Sequence, residues 1–150
     1  MREDISDNLT KAIKNRDTRR MATLRLVSAA IKERDIDARG QGHDKIGDDE
    51  ILALLQKMVR QREESVTVYS DAGREDLATQ EREEIEIIKE YLPKPLGEEQ
   101  LAAAISEAIA ETGAEGLRDM GKVVAALKAK YPGQIDFGQA SKQVKAQLAG

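Results

Sequence analysis

Residues 57–93 read KMVRQREESVTVYSDAGREDLATQEREEIEIIKEYLP, and their periodicity is the clearest in the chain. At about 100° per residue, Met58, Val59, Val66 and Tyr69 fall on one side of the wheel, which marks one face of an α-helix. That pattern stops at Asp71-Ala72-Gly73, where glycine suits a left-handed cap, and resumes with Leu77, Ile85, Ile88, Tyr91 and Leu92. Pro93 and Pro95 end the second run, because proline disfavours helix in the residue before it. Two amphipathic helices joined by a tight turn make an antiparallel hairpin.

Charged residues fall inside this hairpin where aliphatics belong. At about 100° per residue, Arg62 lies in the middle of the first apolar face, flanked by Gln61 and Ser65. Glu81 and Glu84 lie within the face shared by Leu77, Ile88 and Tyr91. Arg62 and Glu84 are equally far from Gly73, so the hairpin brings them level. A buried arginine without a partner costs on the order of several kcal/mol, so a bidentate pair of Arg62 with Glu84, or with Glu81 one turn away, is expected. Two readings of the cluster stand side by side: a structural pair that fixes helix register, and a ligand or partner pocket with Arg25 and Lys32 on its rim.

Upstream, residues 2–15 read as a helix with Ile5, Leu9, Ala12 and Ile13 inward. Asp17 is placed to cap a second helix from Thr18 to about Asp37, with Met21, Leu24, Val27, Ser28 and Ile31 on its inner face. Gly40 and Gly42 break that pattern, and the long helix of the hairpin opens at Asp48 ahead of Ile51, Leu52, Leu54 and Leu55. The fourth helix is expected from Arg74 to Tyr91. Downstream of Pro93-Lys94-Pro95, Leu101, Ile105 and Ile109 mark a helix over residues 98–112, and Asp119 and Asp136 are expected to cap short helices over 120–130 and 137–148. The chain is therefore expected to be all-α, with a larger N-terminal helical bundle over 1–92 and a small C-terminal three-helix domain over 96–150.

Composition agrees with helices packed through aliphatic stripes: 35% of residues are charged and only 3% aromatic, whereas a sheet protein needs more β-branched and aromatic residues. With no cysteine, a disulfide framework, a thiolate metal site and a thiol nucleophile are all excluded. No apolar run approaches the roughly 20 residues that span a bilayer, and the first residues carry acids and bases in place of the apolar core of a signal peptide. A cytoplasmic protein without a membrane partner is the expectation.

The net charge of −4 hides an uneven distribution. Residues 1–39 hold 10 Lys or Arg against 7 Asp or Glu, residues 40–92 hold 7 against 14, and residues 117–150 hold 6 against 2. Arg118, Lys122, Lys128, Lys130, Lys142 and Lys145 concentrate positive charge in the tail, where a shared exposed face would attract phosphates. A lysine-rich solvated face explains such residues equally well, and the interleaved aromatics of a single-strand binder are missing. His43, alone in a glycine-rich loop, lacks the neighbours of a base or metal ligand, and acidic runs on helices without histidine read as solvated faces. Neither a metal nor another cofactor is expected, and no catalytic residue is assigned.

The run Lys57-Met58-Val59-Arg60-Gln61-Arg62-Glu63-Glu64-Ser65, with Tyr69, Gly73-Arg74-Glu75-Asp76-Leu77, Glu81, Glu84 and Tyr91-Leu92-Pro93, resembles the signature of the GatB/YqeY family. Leu24-Arg25, Ala29-Ala30-Ile31-Lys32 and Ile36-Asp37 upstream, and Asp119-Met120-Gly121-Lys122-Val123 with Gly133 and Asp136 downstream, extend the resemblance over nearly the whole chain. Val124-Ala125 departs from it, where the family often has methionine followed by a small residue. In that family the module stands alone, forms the tail of the B subunit of the glutamine-dependent amidotransferase acting on mischarged glutamyl- or aspartyl-tRNA, or is fused to some glutaminyl-tRNA synthetases. The resemblance implies a non-catalytic accessory module, with tRNA or a tRNA-processing enzyme as partner and Lys122 as the first residue expected at RNA. A protein-interaction module within a larger complex is the alternative. A label of carbon–nitrogen ligase with glutamine as amide donor would be inherited from the larger enzyme, whose activating domain and glutaminase partner do not fit in 150 residues. A monomer is expected.

Overall fold

The structure, a computed structural model, describes residues 1–149. Among these there are seven α-helices and no strand, and the chain divides into two compact units, Met1–Leu92 and Pro93–Gly150.

The first unit holds α1 (Arg2–Lys14), α2 (Thr18–Gly40), α3 (Asp48–Asp71) and α4 (Glu75–Lys89). Its most extensive pairing is between α3 and α4, the hairpin expected from their facing apolar stripes. Leu24, Val27 and Ile31 of α2 meet Ile51, Leu55 and Met58 of α3 and Ile85 and Ile88 of α4 in one core, with Ile5 of α1 and Ile46 of the α2–α3 loop. Each such side chain, fully withdrawn from water, contributes about 1.5–3 kcal/mol.

Helix ends follow local chemistry. The Asp17 side chain accepts from the Arg20 amide at 3.2 Å and caps α2, while Asp48, Asp49 and Glu50 fill the first turn of α3 where the helix dipole favours anions. Gly73, at φ 74°, takes the left-handed position between α3 and α4, and the Arg74 amide closes the turn on the Tyr69 carbonyl at 2.8 Å. Between α1 and α2 the same left-handed role falls to Arg16, at φ 56°. The Arg16 amide reaches the Ile13 carbonyl at 3.3 Å and the Asp17 amide the Ala12 carbonyl at 3.0 Å, a Schellman pairing built without glycine.

The second unit holds α5 (Glu98–Thr112), a short 3₁₀ turn at Leu117–Asp119, α6 (Met120–Lys130) and α7 (Phe137–Ala149). Leu101, Ile105, Val123, Leu127, Ile135, Ala140 and Val144 form its own core. Asp136 accepts from the Gly138 amide at 2.9 Å, the geometry of an N-cap.

The structure departs from the sequence reading in small ways. Helix α2 runs three residues past Asp37 to Gly40, and α4 spans only Glu75–Lys89. Ile13, expected inward, is 46% exposed, because α1 turns Ile5 and Ala12 to the core and a four-residue stripe is wider than the contact it makes. Asp119 does not cap α6: its carboxylate accepts the Glu115 amide at 3.0 Å and so ties the preceding loop instead.

Candidate functional site

At the centre of the α3–α4 hairpin, Arg62 Nε donates to Glu84 Oε2 at 3.1 Å. The pair is not bidentate. Arg62 Nη1 turns back to the Met58 carbonyl at 3.2 Å, so the guanidinium divides its donors between two acceptors. Glu84 is only 6% exposed, which makes this ion pair nearly dry where it joins α3 to α4. Glu81, one turn away and partly buried, has its carboxyl held above the ordinary glutamate range by burial first and by the charge of Glu84 second, with Arg62 opposing.

The residues expected around that pair do not all gather there. Ser65 Oγ donates to the Gln61 carbonyl at 3.1 Å within α3, and Gln61 itself is exposed. Arg25 and Lys32 are exposed on α2 and make no hydrogen bond or ion pair with Arg62, Glu81 or Glu84.

A second buried ion pair escaped the sequence reading. Asp35 of α2 accepts from Arg2 Nη1 at 2.8 Å and Arg2 Nη2 at 2.7 Å, and its Oδ1 also accepts the Ile46 amide at 3.0 Å. Arg2 Nη2 in turn donates to the Ile46 carbonyl at 2.9 Å. The Asp35 carboxyl is lowered to about 2, by the Arg2 hydrogen bonds first and the Ile46 amide second. One clamp thus holds α1, α2 and the loop before α3. Its signal was present in the sequence, since Asp35 stands four residues after Ile31 on the inner face of α2, as Arg62 stands four after Met58 on α3. Its partner, Arg2, lies far along the chain and outside any hairpin symmetry.

The six basic residues of the tail divide into engaged and free groups. Lys130 Nζ donates to Glu107 Oε1 at 2.6 Å and lies 3.6 Å from Glu111 Oε1; the hydrogen bond raises Lys130 and lowers Glu107 from their ordinary values. Arg118 lies 3.7 Å from the exposed Glu115, and Lys122 lies 3.7 Å from the largely buried Asp119 side chain; both cations stay open to solvent. Lys128 Nζ stands 5.1 Å from the Phe137 ring centre, a cation–π contact joining α6 to the start of α7. Lys142 and Lys145 are exposed one turn apart on α7. On the helices of this unit the signs are segregated: Glu98, Glu99, Glu107 and Glu111 all belong to α5, while α6 and α7 contain no acid, and Lys130 alone of the α6 and α7 lysines bonds across to α5. Among the described residues, no three His, Asp or Glu side chains converge as a metal site requires.

An all-helical chain whose central hairpin is wired by a buried Arg–Glu pair, followed by a three-helix unit with its helical lysines on α6 and α7, defines the class of protein. Residues 2–148 match the family described as Yqey-like protein, and the chain belongs to that family. Its curated relatives include proteins named "Altered inheritance of mitochondria protein 41, mitochondrial". The one from Lachancea thermotolerans is 33% identical over 110 residues, covering 72% of this chain and 57% of the relative. That from Eremothecium gossypii is 32% identical over 103 residues, covering 67% and 55%, and that from Candida glabrata 24% identical over 143 residues, covering 95% and 74%. The chain thus spans little more than half the length of the first two.

These names correct the expectation of a cytoplasmic protein, because the relatives are named as mitochondrial. The physical basis of that expectation was too coarse. No described helix is long and apolar enough to cross a membrane, but this property and a lack of cysteine do not distinguish one aqueous compartment from another.

Proposed function

We propose that the chain is a non-catalytic, tRNA-associated accessory module whose second unit meets the phosphate backbone. The observation that carries this reading is the separation of charge in that unit. Lys128, Lys142 and Lys145 on α6 and α7 are exposed and have no acidic partner among the described residues, and Lys122 keeps most of its side chain in water beside Asp119. Exposed cations without intramolecular partners are the groups that displace counterions from a polyanion. Lys130 contributes less, since Glu107 and Glu111 already neutralise it. Membership of a family whose modules resemble the tail of a tRNA amidotransferase subunit supports the same reading. The buried pair Arg62–Glu84 then has a structural role, holding the hairpin that carries the rest.

Titration of the whole chain with tRNA at about 50 and about 200 mM salt tests the proposal. Affinity should fall steeply with salt, and the K128A/K142A/K145A variant should bind more weakly with a salt slope reduced by about 2 to 3. Absence of binding at the lower salt, or a slope unchanged in the triple variant, overturns it.

A further inference from the structure

Helix α2 has two apolar faces, and only one is used. Leu24, Val27 and Ile31 are buried in the first unit's core. About half a turn away, Ala22, Leu26, Ala29, Glu33 and Ile36 succeed each other at steps of four, three, four and three, and every one is exposed. Leu26 is 49% and Ile36 57% exposed, two of the few large aliphatics left in water. This is heptad spacing, the seam that a second helix covers. Along one edge of the seam run Arg25, Lys32 and Arg39, each seven residues from the next and each exposed. Among the described residues only Arg39 of these three is engaged, through Nε to the Asp44 carbonyl at 3.3 Å.

We infer that the outer face of α2 is a docking surface for an acidic amphipathic helix of a partner protein. Its aliphatic residues would lie on Leu26, Ala29 and Ile36, its carboxylates beside Arg25, Lys32 and Arg39, and one basic side chain opposite Glu33. Charge complementarity selects this occupant. A membrane surface would drive Glu33, in the middle of the seam, into hydrocarbon. RNA gains little from an aliphatic stripe. A second copy laid antiparallel about a two-fold axis would set the basic edge beside its own equivalent, with like charges facing. The small side chains of Ala22 and Ala29 allow close approach of a partner backbone, which large residues in their place would prevent.

The probe is a synthetic three-heptad peptide of about 21 residues with Leu at the seam positions, Glu on both flanks and one Lys at the seam centre, compared with its twin carrying Lys on both flanks. Fluorescence anisotropy with the whole chain should show the acidic peptide binding at least about tenfold more tightly than the basic one. R25E/K32E should invert that preference, and L26S/I36S should weaken both peptides at least about tenfold. All four positions are exposed, and matching thermal melts by circular dichroism establish that the variants fold. Equal binding of the two peptides, no binding, or a preference that survives R25E/K32E overturns the inference. So does tighter binding to anionic vesicles or to tRNA lost in L26S/I36S, or concentration-dependent self-association abolished by it. These readouts do not involve α6 or α7, so failure here and failure of tRNA binding are separate results.

Discussion

Two ionic contacts set the behaviour of the first unit, and they differ in what their loss exposes. Arg62→Ala leaves Glu84 buried without a cation, which should cost about 3–5 kcal/mol in urea unfolding. Arg62→Met combined with Glu84→Leu removes both charges and keeps volume, so the double variant should range from parental stability to about 4 kcal/mol more stable. A double variant as unstable as the single one would show that the pair has a role beyond satisfying its own burial. Asp35 acts through pH. Its pKa in the folded chain, about 2, lies below the ordinary value of 3.8, so its stabilising effect is present above about pH 4 and is lost as pH falls toward 2. Asp35→Asn should therefore lower stability at pH 7, flatten the acid side of the stability profile between those limits, and increase amide exchange at Ile46. The Arg62–Glu84 contact could be read from the wheel and the symmetry of the hairpin. The Arg2–Asp35 clamp could not, because a buried acid on a wheel announces a partner without naming it. The one-point geometry at Arg62 was equally hidden, since the Met58 carbonyl competes for the guanidinium from within its own helix.

Among the helices and their junctions, legibility tracked how local the cause was. Gly73 predicted its own left-handed turn and Asp17 its own cap, since both effects lie within four residues. Asp119 misled because two donors were within reach and the Glu115 amide took the carboxylate. Arg16 gave no signal at all, for nothing in its side chain favours φ 56°. A left-handed backbone costs a residue with Cβ about 1–2 kcal/mol, so Arg16→Gly should stabilise the chain by up to about 1 kcal/mol after glycine's extra entropy in the unfolded state is subtracted. Thermal melting checks this, and a lower melting temperature for Arg16→Gly would mean that the arginine side chain stabilises the junction through contacts of its own. The outer face of α2 was the least legible element. Leu26 and Ile36 were assigned to no face in the sequence, and only the burial of the opposite side shows them to be spare.

For the whole molecule, all-α architecture was legible from composition and periodicity together, because both report the same packing by aliphatic stripes. Each unit has a core built from its own residues alone. Leu55→Ala and Leu127→Ala should each cost about 2–5 kcal/mol, and hydrogen exchange should assign the first loss to α1–α4 and the second to α5–α7. Exchange that rises equally in both units for either substitution would mean that they unfold as one. Membership of the Yqey-like family was legible from the central run, whereas cellular location was not, since sequence composition records solvent and not address.

The gathering of acids on α5 and of bases on α6 and α7 has an electrical consequence. Residues 93–150 carry as many Lys and Arg as Asp and Glu, yet α5 holds only acids and α6 and α7 only bases, so this unit is uneven in charge without a net charge. A neutral body of that kind is neither drawn in nor repelled from afar; it is turned. Any highly charged molecule that comes within about a Debye length, ~8 Å at physiological salt, meets it already facing one way, and added electrolyte should slow productive encounter before it shortens the time spent bound.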